Sequence, residues 1–166
     1  MQGKIARVTF LKNISAKFFA AGKYDKAYKI FDRINHFFKS KDAKGNYCEE
    51  NELETTWRDG QDTLQSLQVA NLANMALVLF KQAKNEECIS MCDKALEIDH
   101  RLVKAWFWKA RASAEEAEYD DAIKFFNEAL EIEPENAEAK KWLKDTERRN
   151  GEYQKKIKML AQKMFA

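Results

Sequence analysis

The chain is poor in the residues that make tight turns and covalent cross-links. Its 166 residues include one proline, five glycines and three cysteines. Sandwiches and barrels need many turns, for which glycine and proline are favoured residues, so their scarcity argues against these architectures and favours long helices. A chain of this length can bury enough surface to build a full hydrophobic core without disulfides.

The cysteines and histidines lack the spacing of a disulfide framework or a zinc site. Cys88 and Cys92 are four residues apart inside an apolar run, and Cys48 leaves the total odd. Neither His36 nor His100 has the spacing from a cysteine that a tetrahedral zinc site needs. We therefore expect buried thiols, a reducing intracellular location, and no metal or other cofactor.

Long apolar segments and catalytic motifs are missing as well. No segment approaches the roughly 18 apolar residues of a membrane-spanning helix, and the N-terminus has no apolar core of signal-peptide length. The sequence also lacks a glycine-rich phosphate loop, a nucleophile with its base, and paired carboxylates that a pocket would enclose. These absences predict a cytoplasmic protein that is not an enzyme and does not contact a membrane.

Charge is distributed unevenly along the chain. Residues 1–39 carry nine Lys or Arg and two acids, and residues 140–166 carry nine and three. Residues 40–139 carry eleven basic and twenty-two acidic side chains. A uniformly basic nucleic-acid-binding surface is therefore disfavoured, whereas each end could attract an acidic partner.

The central sequence repeats itself with a period of 34 residues. Residues 69–102 and 103–136 align without a gap, and a more divergent copy covers about 8–41. The period is typical of tetratricopeptide repeats, in which two antiparallel helices approach closely at small residues. The aligned small or apolar pairs are Leu72 with Trp106, Ala76 with Ala110, Ala83 with Ala117, Cys88 with Ala122, Cys92 with Phe126, and Ala95 with Ala129.

These repeats predict an all-α fold, a right-handed α-solenoid of three helix hairpins and a long C-terminal capping helix. We expect a single domain over residues 1–166. Its parts are repeat one at about 8–41, an inserted loop with helix extensions at 42–68, repeat two at 69–102, repeat three at 103–136, and the capping helix at 137–165.

The aromatic residues are predicted to serve mainly as core. Trp106 occupies the large-residue position of its repeat, whereas Trp108 is placed on the helix face that would line a groove. Five phenylalanines of the first repeat recur near helical spacing and are interpreted as its packing face. They are Phe18, Phe19, Phe31, Phe37 and Phe38.

Several segments resemble the tetratricopeptide domains of large immunophilins, namely the FK506-binding-protein and cyclophilin-forty classes, and of the aryl-hydrocarbon-receptor-interacting protein. The segments are Leu-Ala-Asn-Met-Ala at 72–76, Cys-Asp-Lys-Ala-Leu at 92–96, the long loop between the first two repeats, and the Lys-rich, Met-Phe tail at 158–166. The isomerase domain that precedes the repeats in those proteins has no counterpart here. We therefore expect the chain to be a fragment of a larger protein.

The resemblance implies a ligand, the acidic C-terminal Glu-Glu-Val-Asp tail of heat shock protein 90 or 70 class chaperones. In the family a carboxylate clamp of Lys, Asn and Arg side chains holds this tail, because carboxylates need several hydrogen-bond donors. The clamp positions of this chain hold Lys12, Ala16, Asn74, Lys104 and Trp108. Ala16 and Trp108 depart from the pattern, so the resemblance implies an adaptor with a partly degenerate clamp.

The two departures leave two hypotheses open. Arg111 is three residues after Trp108 and seven after Lys104, which places it on the same helix stripe. It would then supply the missing cation while Trp108 contacts an apolar residue of the ligand. Alternatively, the chain is a tetratricopeptide scaffold that has lost chaperone-tail recognition and binds a different protein.

The last helix is strongly basic around Trp142. This pattern is typical of a calmodulin target or of a contact with another acidic protein, although solvated charges on a capping helix explain it more simply. The basic residues are Lys140, Lys141, Lys144, Arg148, Arg149, Lys155, Lys156 and Lys158.

Overall fold

The computed structural model describes residues 2–39 and 64–164 of the chain. In these ranges it contains seven α-helices and no strand, which confirms the predicted all-α fold. The helices are α1 (Gln2–Ala20), α2 (Tyr24–Lys39), α3 (Leu64–Lys81), α4 (Asn85–Ile98), α5 (Val103–Glu115), α6 (Tyr119–Ile132) and α7 (Ala137–Met164). The predicted inserted loop and the last two residues of the chain lie outside the described ranges. The helix α3 begins at Leu64, five residues ahead of Val69.

The chain divides into two compact units, residues 1–100 and residues 101–166. In the first, α1 packs against α2, α3 packs against α4, and α2 and α1 both contact α3. A core centred on Phe31, Ile34 and Met75 joins these helices. Phe18, Phe19, Phe37 and Phe38 surround this core, which confirms the predicted phenylalanine packing face.

The second unit contains α5, α6 and α7. The helix α6 packs against both α5 and α7, and α5 also contacts α7. Phe107, Ala110, Phe126 and Ala139 form its buried core. Trp108, Phe125, Leu130, Trp142 and Leu143 are partly buried around this core, so apolar side chains of all three helices hold the unit together.

The 34-residue register is visible in the burial of small side chains. In each of the helix pairs α1–α2, α3–α4 and α5–α6, one small residue of each helix is buried. The small residues of α3–α4 lie 34 positions before the corresponding residues of α5–α6. Small side chains allow two helix backbones to approach closely, and the complete burial of these residues places them out of contact with solvent. The six residues are Ser15, Ala27, Ala76, Cys88, Ala110 and Ala122, all with 0% exposure.

The same turn closes all three helix pairs. One residue of each turn has left-handed backbone geometry, and the next residue donates its N–H to a carbonyl five positions earlier, as in a Schellman motif. The left-handed residues are Gly22, Ala83 and Ala117, with φ of 69°, 57° and 61°. The hydrogen bonds run from Lys23 to Phe18, Lys84 to Leu79, and Glu118 to Ser113, with N···O distances of 2.9, 3.0 and 2.9 Å.

The last helix, α7, has a packed first half and an exposed second half. It begins after Asn136, whose Oδ1 accepts the Ala139 N–H at 2.9 Å and so caps the helix. Ala139 and Thr146 are buried, whereas every residue from 151 to 164 is exposed. Although α7 is 28 residues long, neither it nor any other described helix is long and apolar enough to cross a membrane.

Candidate peptide-binding site

Two of the predicted clamp residues lie in the first unit, on helices that touch each other. Lys12 lies on α1 and Asn74 on α3; both are half-buried, and α1 contacts α3. The Lys12 carbonyl accepts a hydrogen bond from Ser15 Oγ at 2.7 Å. Ala16, where the family has an asparagine, is exposed. At the predicted clamp positions, the first unit therefore has one ammonium and one amide on neighbouring helices, with no third donor at residue 16.

A second asparagine of α3 has a structural role that the sequence did not indicate. Asn71 is 4% exposed, and its Nδ2 donates to the Phe31 carbonyl of α2 at 3.0 Å. This hydrogen bond joins α2 to α3 and compensates for burying the amide N–H. Asn74 is only half-buried, so its polar side chain is placed differently from that of Asn71.

The other three predicted residues lie on α5 in the second unit. Lys104 is exposed, and Trp108 is half-buried. The Trp108 ring packs against the core of this unit, 5.1 Å from Phe107 in an edge-to-face arrangement. Trp106 is 8% exposed, which confirms its predicted core position. Trp108 is thus both a packing residue and a partly accessible apolar surface.

Arg111 contacts α7 through its guanidinium group. The Arg111 Cζ lies 3.4 Å from the centroid of the Trp142 ring, which is a close cation–π stack. Burial lowers the pKa of Arg111, although the carboxylates of Glu115 and Glu138 act in the opposite direction. The guanidinium still carries its charge at neutral pH, because arginine is not deprotonated in proteins. Its role in the clamp remains a prediction; the structure adds a packing role between α5 and α7.

The contact between Arg111 and Trp142 could not be predicted from the sequence. The two are far apart in the sequence, and the basic residues around Trp142 suggested a surface role. Only the packing of α5 against α7 brings them together. One feature of the sequence indicates a packing role for Trp142, namely a large apolar residue near the start of a strongly charged helix.

Chemically, the five residues offer donors for carboxylates and one apolar surface. Lys12 and Lys104 supply ammonium groups, and Asn74 supplies an amide that both donates and accepts. In the first unit, a lysine and an asparagine on neighbouring helices suit a ligand that has free carboxylates and a peptide backbone. Trp108 suits an apolar side chain better than a carboxylate, because its only donor is the indole N–H.

A protein-family comparison identifies one of the repeats directly. Residues 103–136 match the family model described as tetratricopeptide repeat. This is the range predicted for the third repeat, and it covers α5 and α6. No match to the chain was found among curated proteins.

Solved structures extend the likeness to most of the chain. The C-terminal tetratricopeptide-containing domain of an FK506-binding protein from Plasmodium falciparum superposes with a TM-score of 0.70 at 19% identity, over 92% of this chain and 93% of that one. The chain has the tetratricopeptide-repeat fold.

Two further solved structures with a similar fold contain chaperone peptides. The second tetratricopeptide domain of human RPAP3, in complex with the HSP70 peptide SGPTIEEVD, has a TM-score of 0.63 at 20% identity, over 87% of this chain and 98% of that one. The myosin chaperone UNC-45 from C. elegans, in complex with an Hsp90 peptide, has a TM-score of 0.70 at 20% identity, over 94% of this chain and 15% of that one.

Outside the predicted clamp, the chain exposes an apolar stripe on the second half of α7. Tyr153, Ile157, Leu160 and Met164 follow one another at helical spacing, and their exposure rises from 41% at Tyr153 to 74% at Met164. The stripe forms a shallow apolar surface together with Ala161. Four lysines lie on the same segment, Lys155, Lys156, Lys158 and Lys163.

Proposed function

We propose that the chain is a single tetratricopeptide domain of a cytoplasmic, immunophilin-like co-chaperone. It acts as a non-catalytic adaptor that binds the acidic C-terminal Glu-Glu-Val-Asp tail of heat shock protein 90 or 70 class chaperones. Lys12 and Asn74 in the first unit and Lys104 in the second donate hydrogen bonds to the carboxylates of the tail. The clamp is partly degenerate because Ala16 and Trp108 replace two of its donors.

The observation that carries this proposal is the register of buried small residues. Because the small positions are closed in all three helix pairs, the alignment of the chain with the family's repeats is supported from α1 to α6. That alignment assigns clamp positions to Lys12, Asn74 and Lys104. Support also comes from solved structures of similar fold that are in complex with an HSP70 or an Hsp90 peptide.

Trp108 and Arg111 complete the proposed site. Trp108 offers the apolar part of its surface to the valine of the tail, and Arg111 supplies a cation close to it on α5. Arg111 can serve in this way while it is stacked on Trp142, because the ring covers one face of the guanidinium and the N–H donors lie in its plane. We expect Arg111→Ala to weaken binding, whereas affinity equal to that of the unchanged chain would remove Arg111 from the site.

The test is isothermal titration of the chain with a peptide that ends in Glu-Glu-Val-Asp. We expect Lys104→Ala and Asn74→Ala each to weaken binding by about tenfold, because a charge-assisted or buried hydrogen bond contributes roughly 1–3 kcal/mol. Binding should also weaken as salt rises, since much of it comes from charge.

Matched controls make the titration specific. Lys124→Ala and Asn127→Ala change the same residue types at exposed positions of α6, and should leave the affinity unchanged. Equal affinity for Lys104→Ala, Asn74→Ala and these controls would contradict the clamp. If no tail peptide binds and another protein is recovered stoichiometrically from lysate, the chain is the alternative, a scaffold for a different partner.

A second protein contact is favoured by the apolar stripe of α7. Exposed Ile157 and Leu160 beside several lysines suit an apolar groove with acidic edges, and calmodulin is one protein with such a groove. We propose this segment as a partner-binding helix that is separate from the clamp.

Titration with calmodulin, with calcium and with a chelator, tests the second contact. We expect calcium-dependent binding that Ile157→Ser with Leu160→Ser weakens by at least tenfold, since complete burial of each side chain contributes roughly 1.5–3 kcal/mol. Gln162→Ser on the opposite side of α7 is the control. Absence of binding would exclude calmodulin as this partner.

A further inference from the structure

A basic cleft lies in the first unit, between the turn that joins α1 to α2 and the turn that joins α3 to α4. Its volume is about 620 Å³. One wall carries Lys23, Lys26 and Lys29, and the other carries Gln82 and Lys84. None of these residues is among the proposed clamp residues, so the cleft is a separate surface of the chain.

The two walls are tied to each other by a side-chain hydrogen bond. Gln82 Nε2 donates to Asp25 Oδ1 at 2.7 Å, although the two residues are 57 positions apart in sequence. Both turns also have the hydrogen-bonded closure described above. The cleft therefore has one wall on the α1–α2 hairpin and the other on the α3–α4 hairpin.

Positive charge dominates the cleft. Of the described residues, four lysines and one aspartate line it, and the carboxylate of that aspartate already accepts the Gln82 hydrogen bond. Lys84 Nζ lies 3.7 Å from Glu87, a pair in which both side chains are more than half exposed. Lys26 Nζ lies 5.8 Å from the Phe18 ring centroid. Exposed contacts of this kind hold lysine weakly, so the ammonium groups can turn towards an anion.

The arrangement of the lysines favours several carboxylates over one compact anion. Lys26 and Lys29 are about 4.5 Å apart along the axis of α2, because each helical residue rises by about 1.5 Å. Lys84 adds a charge from the opposite wall. Among the residues that the structure describes, no arginine lines the cleft. These walls therefore lack the planar guanidinium that binds a phosphoryl group bidentately, whereas a lysine ammonium binds a carboxylate in many orientations.

We infer that this cleft is a second peptide-binding surface, for a segment of a partner protein that is rich in glutamate and aspartate. Charge complementarity identifies the ligand, because the net charge of the lining is positive and the lysines are spread along both walls. The segment binds alongside α2, with successive carboxylates facing Lys26, Lys29 and Lys84.

Fluorescence anisotropy with a labelled decaglutamate peptide tests the inference on the whole chain. We expect saturable binding that weakens steeply as salt rises. The double variant Lys26→Glu with Lys29→Glu should lower the affinity at least tenfold. The matched control is Lys94→Glu with Lys124→Glu, which makes the same charge change at exposed positions of α4 and α6 outside the cleft and should alter the affinity less than twofold.

Two comparisons separate this surface from its alternatives. Asn74→Ala and Lys104→Ala should leave decaglutamate binding unchanged, and the Lys26→Glu, Lys29→Glu variant should still bind a Glu-Glu-Val-Asp peptide. Loss of decaglutamate binding in Asn74→Ala or Lys104→Ala, or no decaglutamate binding at all, would overturn the inference. So would preference for inorganic polyphosphate over decaglutamate by tenfold or more at equal charge, because the ligand would then be a phosphate polymer. Circular dichroism checks that each variant is folded.

Discussion

Phe126→Ala is expected to lower the free energy of unfolding by about 3–5 kcal/mol, the range for removing a buried aromatic ring. Phe126 is 0% exposed and is the largest fully buried side chain of the described residues. Its ring meets that of Phe107 edge to face, with centroids 5.9 Å apart, and so joins α6 to α5. Alanine would leave a cavity that the small neighbours Ala110 and Ala139 cannot fill. Urea unfolding followed by circular dichroism measures the loss.

Phe125→Ala is the matched control for this prediction. Phe125 is the preceding residue of α6 and is half-buried, with its ring 5.9 Å from Trp106 and 4.2 Å from Lys109 Nζ. Because part of its surface already contacts water, its removal should cost clearly less than that of Phe126. Equal losses for the two variants would show that Phe126 does not have the core role assigned to it.

The repeat register could be predicted from sequence because it depends on residue size at fixed spacing. Ala76 and Cys88 in one repeat match Ala110 and Ala122 in the next, and all four are completely buried. Close helix contact excludes large side chains, so the positions of contact can be recognised in the sequence as small residues at a fixed spacing. The same register led to Lys12, Asn74 and Lys104, whose binding role remains a prediction.

The backbone geometry of the turns could not be predicted in the same way. Gly22 has the left-handed conformation that glycine adopts readily, but Ala83 and Ala117 adopt it too. Left-handed geometry costs alanine roughly 1–2 kcal/mol, so nothing in the residue type predicts it. The surrounding hydrogen bonds and the packing of the two helices impose it.

Contacts between distant side chains were also beyond sequence reasoning. The stack of Arg111 on Trp142 and the hydrogen bond from Gln82 to Asp25 both join different helices or turns. Helical spacing places Arg111 on the stripe of Lys104 and Trp108, but it carries no information about a ring on α7. The basic cleft was missed for the same reason, because Lys84 joins the lysines of α2 only when the two hairpins pack.

Enlarging one of the small repeat residues is expected to destabilise the fold without removing any contact. Ala110 of α5 is 0% exposed, as is Ala122 of α6. Ala110→Leu inserts three further carbon atoms where the helices already touch, and overpacking of this kind costs about 1–3 kcal/mol. Ala137→Leu, at the exposed start of α7, should change the free energy of unfolding by less than about 0.5 kcal/mol. Urea unfolding of both variants decides the point. If Ala110→Leu were as stable as the unchanged chain, α5 and α6 would have room between them, and close approach would not explain why this repeat position is small.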